Sequence, residues 1–128
     1  MKALVIDDSR VMRRIVAATL RPLGFETVEA GDGRAALDLL EAGADVDLCC
    51  VDWNMPVMDG LEFVGAVRAN RAWRDITLMM VTTESEHGQI VRALAAGAHE
   101  YVIKPFTADA IKDKLQLLGL VQDEEETA

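Results

Sequence analysis

Four short apolar runs without alternation punctuate the chain: Ala3-Leu4-Val5-Ile6, Leu48-Cys49-Cys50-Val51, Leu78-Met79-Met80-Val81 and Tyr101-Val102-Ile103. A strand with one solvated face alternates polar and apolar residues, so unbroken runs predict strands of a parallel sheet buried on both faces. Between the runs, apolar residues recur at helical spacing. Met12, Ile15, Val16, Thr19, Leu20 and Leu23 outline a first helix, with Ser9 as its N-cap and Gly24 as its stop. Thr27-Val28 predicts one further short strand. Ala36, Leu39 and Leu40 give the buried face of a second helix ending at Gly43, and Phe63, Val64 and Val67 mark a third that starts near Asp59-Gly60. Ile90, Ala93, Leu94 and Gly97 share one face of a fourth helix; Ile111, Leu115 and Leu118 define a fifth, capped by Thr107. Strand and helix thus alternate five times with short connections, which predicts an α/β fold on a doubly wound parallel sheet.

Each apolar run ends in polar groups. The first ends in Asp7-Asp8, the second in Asp52, the third in Thr82-Thr83 and the last in Lys104-Pro105. In such a sheet the ligand site lies beyond the carboxyl ends of the strands, where strand order reverses. The pattern therefore delivers carboxylates, a hydroxyl and an ammonium to one edge. At about 4 Å and an effective dielectric of about 20, each ionised carboxylate pair costs roughly 4 kcal/mol, so the cluster needs something positive. Oxygen-only ligation suits Mg²⁺, whereas His87 and His99 fall elsewhere in the pattern, which argues against zinc. Beside a held metal, one carboxylate can attack phosphorus to give an aspartyl phosphate. Lys104 would offset charge on the phosphoryl oxygens, and the Thr82 hydroxyl would donate to one of them. Asp52 is the favoured nucleophile because its strand is expected to be central, beside the first. A single Asp after a strand is ordinarily a turn or a helix cap, and a lone Lys-Pro is ordinarily a turn. Their coincidence at four strand ends of one sheet favours chemistry.

Composition narrows the picture. A chain of 128 residues fits one domain, and 51% apolar with 5% aromatic content implies a mostly aliphatic core. No apolar run approaches a membrane span, and the first residues lack the succession of a signal peptide, so a cytoplasmic location is expected. Net charge is −9, part of it in Asp123-Glu124-Glu125-Glu126. Residues 1–120 are expected to form the domain and 121–128 a solvated acidic tail. This balance argues against a nucleic-acid binder, which needs a basic stripe. Cys49 and Cys50 are adjacent in a predicted strand, so they point to opposite faces as packing residues rather than as a metal pair or a disulfide.

These residues resemble the receiver domain of bacterial response regulators. Asp7-Asp8, Val51-Asp52-Trp53-Asn54-Met55-Pro56-Val57-Met58-Asp59-Gly60, Val81-Thr82-Thr83-Glu84 and Lys104-Pro105-Phe106-Thr107 occur in that family's order, across about residues 2 to 120. Met12-Arg13-Arg14-Ile15-Val16 and Asp52-Trp53-Asn54-Met55-Pro56 are similar to its single-domain chemotaxis regulators; Ser9-Arg10 after the acidic pair departs from them. The resemblance implies a flavodoxin-like five-stranded sheet of order 2-1-3-4-5 with five helices. It implies Asp52 as phosphoacceptor, and Mg²⁺ held by Asp7, Asp8, Asp52 and the backbone carbonyl of Asn54. It places Thr82 and Lys104 on the phosphoryl group, makes Lys104–Pro105 a cis peptide, and assigns the phosphate lifetime to the side chains of Asn54 and Glu84.

Output follows from the same resemblance. A phosphoryl group adds about two negative charges, and Thr82 moving toward it would vacate space that Tyr101 can fill. Read alone, Tyr101 is a half-buried strand aromatic and Ile90 belongs to a helix core. The resemblance instead places Ile90, Val91, Tyr101, Ile103 and Lys114, with Thr82, on a switching and partner-binding face. It implies a sensor histidine kinase as donor, a flagellar switch protein or another protein as target, a monomer, and no catalysis beyond the chain's own phosphorylation and dephosphorylation. A phosphate sink or relay that never binds a motor is the alternative. A Mg²⁺-dependent hydrolase of the haloacid-dehalogenase kind would want a second Asp two residues after the nucleophile, where Asn54 stands.

Overall fold

A computed structural model describes residues 1–122, so the acidic run at 123–126 lies outside the described residues. The chain runs β1 (Lys2–Ile6), α1 (Arg10–Leu20), β2 (Glu26–Ala30), α2 (Gly33–Glu41), β3 (Leu48–Val51), α3 (Gly60–Ala69), β4 (Thr77–Thr82), α4 (His87–Ala96), β5 (Glu100–Ile103) and α5 (Ala108–Leu117). The strands form one parallel sheet in the order β2-β1-β3-β4-β5. This is the expected doubly wound, flavodoxin-like sheet with five helices. The unbroken apolar runs are explained by the helices on both faces. Leu4, Ile6, Cys49, Val51, Leu78 and Met80 pack on one side with Leu37 and Leu40 of α2 and Phe63 and Val67 of α3. Ala3, Val5, Leu48, Cys50, Met79 and Val81 pack on the other with Val16 and Leu20 of α1 and Ile111 and Leu115 of α5. Cys49 and Cys50 are thus divided between the two layers, and burial pushes both thiols up, that of Cys50 to about 12.

Caps set the helix entries. The Ser9 side chain accepts from the Met12 N–H at 3.2 Å and Thr107 from Ala110 at 3.1 Å. Asp59 and Glu62 form a reciprocal capping box at the start of α3. Several predicted positions differ. α1 stops at Leu20, because Pro22 turns the next residues into a 3₁₀ turn, Arg21–Leu23; Leu23 therefore packs from that turn rather than from the helix. Ile15 is 45% exposed and the buried stripe is Val16, Ala17 and Leu20, so correct spacing placed Ile15 only at the stripe's edge. In α2, Leu37 is buried and Leu39 only partly so. In α4 only Ala93 is fully buried and Leu94 is 43% exposed, so its predicted face is only partly covered. β2 extends across Glu26–Ala30 because β1 supplies five paired positions, which short apolar content alone does not reveal.

Two features mark the β3–α3 connection. Gly60 lies against the end of β3: its N–H donates to the Trp53 carbonyl at 2.8 Å, and a Cβ there would stand 2.2 Å from the Asp52 carbonyl oxygen. Val57 has a φ of 69° at the centre of a γ-turn closed by the Met58 N–H, which donates to the Pro56 carbonyl at 2.7 Å, a strained conformation that a β-branched residue tolerates poorly. That conformation costs about 1–2 kcal/mol. Replacing Val57 with Gly, which takes a positive φ without a Cβ clash, should raise the unfolding free energy by about 1 kcal/mol. Urea unfolding of the two proteins measures this, and an unchanged or lower midpoint would contradict the strain.

Candidate functional site

Pairing of β1 with β3 sets Ile6 beside Val51, so Asp7 and Asp52 leave the sheet at the same level. The Asp52 N–H donates to the Ile6 carbonyl at 2.9 Å, and the Asp7 N–H donates to Ala30 at 3.1 Å, which fixes both backbones. Asp7 is 3% and Asp52 7% exposed, while Asp8 faces solvent. One carboxylate oxygen from each of the three lies within 4.8 Å of the others, and this is the metal-competent acidic cluster among the described residues. From the far side, Lys104 brings its Nζ to 2.7 Å from Asp7 Oδ2 and 3.6 Å from Asp52 Oδ2. Lys104 follows β5, its N–H donates to the Thr82 carbonyl at 2.8 Å, and the Lys104–Pro105 peptide is cis. Thr82 is the last residue of β4 and wholly buried. The predicted assembly of strand ends is therefore present, with oxygen donors that fit a hard divalent cation.

Burial, then the neighbouring Asp7, push the Asp52 carboxyl above its ordinary range. Lys104, the Thr82 hydroxyl and the Trp53 N–H, which donates to Asp52 Oδ1 at 2.8 Å, pull it partly back. His99 takes no part: its Nδ1 accepts from the Leu78 N–H at 3.0 Å, and burial lowers its pKa. His87 sits in the first turn of α4, also outside the cluster.

A second line of contacts runs from the rim outward. The Asn54 side-chain amide donates to the Glu84 carboxylate, the Glu84 N–H to Thr82 Oγ1 at 3.3 Å, and the Tyr101 hydroxyl to the Glu84 carbonyl at 2.6 Å. Tyr101 is 8% exposed, so it is a buried aromatic and not the half-buried one that its strand alone suggested. Burial and the charge of Glu84 raise its phenol pKa. Beyond it, Ile90 is partly buried against the core, Val91 and Ile103 are 49% and 40% exposed, and Lys114 pairs with Glu100 at 3.1 Å. These residues share the surface built by α4, β5 and α5.

Two arginines to which the sequence pattern gave no role also join the site. Arg13 donates from Nη1 to the Asp7 carbonyl at 2.7 Å and from Nε to Glu29 at 3.2 Å, which ties α1 to the acidic loop. The Arg92 guanidinium lies 5.8 Å from the centre of the Trp53 ring, a cation–π distance that links α4 to the residue after Asp52. Each arginine reads as an ordinary solvated helix residue until the tertiary packing is known.

A five-stranded sheet of this order with acidic groups at its switch point defines a receiver-type α/β domain. The model of the response regulator receiver domain matches residues 3–116, and the chain belongs to that family. Its relatives include the chemotaxis protein CheY1 of Helicobacter pylori, 45% identical over 119 residues, with 92% of this chain and 96% of that protein covered. A CheY homolog of Campylobacter jejuni is 48% identical over 117 residues, covering 91% of this chain and 90% of the relative. Among solved structures, the chemotaxis response regulator CheY4 of Vibrio cholerae superposes with a TM-score of 0.83 at 38% identity, covering 91% of this chain and 97% of that one. Among the described residues no helix is long and apolar enough to cross a membrane.

The raised pKa of Asp52 makes a signed prediction in metal-free buffer. The folded state holds the proton more tightly than the unfolded chain does. Asp52 therefore costs nothing below the unfolded pKa of about 3.9, and the fold loses stability as pH rises through the raised folded value. Asp52→Asn should unfold at higher urea than the unsubstituted protein at pH 7 with EDTA present, and the gap should close toward pH 3. A pH-independent gap would show that charge is not its cause.

Proposed function

We propose that the chain is a phosphorylation-activated signalling switch, in which Asp52 takes a phosphoryl group from a sensor histidine kinase. The observation that carries this reading is the place of Lys104, 2.7 and 3.6 Å from two carboxylates of a three-carboxylate cluster. Asp7, Asp8, Asp52 and the backbone carbonyl of Asn54 would hold Mg²⁺, which when bound neutralises charge on the carboxylates and the phosphoryl oxygens. An Asp52 carboxylate oxygen then forms the bond to phosphorus as the phosphorus–nitrogen bond of the donor breaks. Lys104 faces the oxygens of the transferred group, and Thr82 turns its hydroxyl toward one of them. Asn54 and Glu84, joined across the rim, govern how readily water reaches the phosphate.

Because Glu84 is bonded both to Thr82 and to Tyr101, a turn of Thr82 changes the seat of the Tyr101 hydroxyl. That local change reaches the surface carrying Ile90, Val91, Ile103 and Lys114, which we assign to binding a protein target, the flagellar switch in a chemotaxis pathway. The half-exposed apolar Val91 and Ile103 support protein contact as the output. The protein acts as a cytoplasmic monomer without nucleic-acid or membrane contact, and it catalyses only its own phosphorylation and dephosphorylation. We assign residues 1–120 to this unit; Val121 also packs against its core, and the acidic run at 123–126 lies outside the described residues.

With Mg²⁺ and a small phosphodonor, the protein should gain one phosphoryl mass, and Asp52→Asn should abolish the gain; labelling that persists on another residue in the variant would refute the assignment. Affinity for an N-terminal peptide of a flagellar switch protein should rise about tenfold or more with Mg²⁺ and beryllofluoride. Unchanged affinity, with Asp52 still accepting phosphate, would favour the phosphate sink.

A further inference from the structure

Trp53 is a fixed post beside the acidic cluster. Its N–H donates to Asp52 Oδ1 at 2.8 Å, and its carbonyl accepts from the Gly60 N–H, also at 2.8 Å. A Cβ on Gly60 would stand 2.9 Å from the Trp53 Cα, so the start of α3 closes on this backbone without slack. The residue is 7% exposed and belongs to the same apolar layer as Phe63. The helix facing it is held more softly. Ala93 is the fully buried residue of α4, Ile90 and Ala96 are partly buried, and Glu86 offers its first turn no side-chain cap. Arg92 crosses from this helix to the loop and sets its guanidinium 5.8 Å from the ring centre. On the same helix Val91 and Leu94 are 49% and 43% exposed, so one short stretch touches the loop and carries apolar surface.

A long side chain resting on the nearest apolar surface is ordinary. The place of this ring and the force that holds the contact set it apart. A cation over an indole is held by electrostatics, and a phosphoryl group on Asp52 adds about two negative charges one residue from the ring. The loop is clamped between β3 and Gly60 and cannot yield, so the added attraction acts on α4.

We propose that Arg92 is a positioning residue that couples α4 to the charge on Asp52 by way of Trp53. The proposal rests on the phosphoacceptor reading above. Arg92 makes and breaks no bond during transfer; it sets where α4, and with it Val91 and Leu94, stands when the charge at Asp52 changes.

The test compares Arg92→Met and Arg92→Lys with the unsubstituted residue, all in a Trp73→Phe background so that emission comes from Trp53 alone. Met and Lys lie close to Arg in helix propensity. Met keeps a long side chain on the ring without charge, whereas Lys keeps the charge. Amide hydrogen exchange across His87–Ala96 is followed with Mg²⁺, before and after beryllofluoride is added. With Arg92 in place, beryllofluoride should shift both the Trp53 emission and the exchange rates of α4. In Arg92→Met the shift in α4 exchange should shrink about threefold or more, within the reach of an exposed cation–π contact, while Trp53 emission still reports that beryllofluoride has bound. In Arg92→Lys it should shrink less than about twofold. An undiminished α4 shift in Arg92→Met, even with faster exchange throughout, would reduce Arg92 to a structural tether and overturn the proposal. Equal losses in both variants would overturn it too, by assigning the contact to the shape of the guanidinium rather than to its charge. If beryllofluoride changes neither emission nor exchange while Arg92 is in place, the phosphoacceptor reading has failed, and this proposal fails with it.

Discussion

Mutual repulsion among Asp7, Asp8 and Asp52 is the constraint around which the remainder is arranged. Two of the three are almost wholly buried at the ends of adjacent strands, where neither can swing away into water. Lys104 answers part of that charge from β5, and Arg13 adds a second cation at the Asp7 carbonyl. Burial first, and then the charge of Asp7, still raise the Asp52 carboxyl against the pull of Lys104. Such a cluster opposes folding and persists only because the apolar layers on both faces of the sheet over-determine the strand positions. A site built this way is poised to take up positive charge or to change when charge is added.

The same arrangement brings the site close to an outer surface. Two short routes leave the end of β3: one passes through Asn54, Glu84 and the Tyr101 hydroxyl, the other through Trp53 to Arg92. Both arrive on elements next to Val91 and Ile103. The first depends on hydrogen bonds with strict geometry, the second on a looser stacking of charge on a ring. Each passes through a single element of structure, so no long chain of rearrangements is needed between the acidic cluster and the exposed apolar residues.

Much of this was legible in the sequence because buried parallel strands are written as unbroken apolar runs, and because those runs happen to end in the groups that meet. Asp7, Asp52, Thr82 and Lys104 could be placed together before any coordinates. What escaped was set by context. Ile15 and Leu94 have helical spacing yet lie at the edge of their stripes, since spacing gives a face but not the width that a neighbour covers. Leu23 was drawn out of α1 by Pro22. Tyr101 looked half-exposed because its strand borders the sheet, but the carbonyl of Glu84 gives its hydroxyl a partner inside. Arg13 entered only as part of the Met12–Val16 resemblance, with no role, and Arg92 not at all: long side chains reach groups that only the fold brings near.

The environment of α4 also differs at its two ends. At its C-terminal end, Arg68 from α3 donates to the carbonyls of Gly97, at 3.2 Å, and Ile76, while a Cβ on Gly97 would strike Arg68 at 2.3 Å. At its N-terminal end, Glu86 provides no side-chain cap. The end that follows Glu84 is held instead by Ile90 against the core and by Arg92 over Trp53. A shift of that end would therefore meet softer resistance than one at Gly97, where backbone carbonyls and a guanidinium interlock.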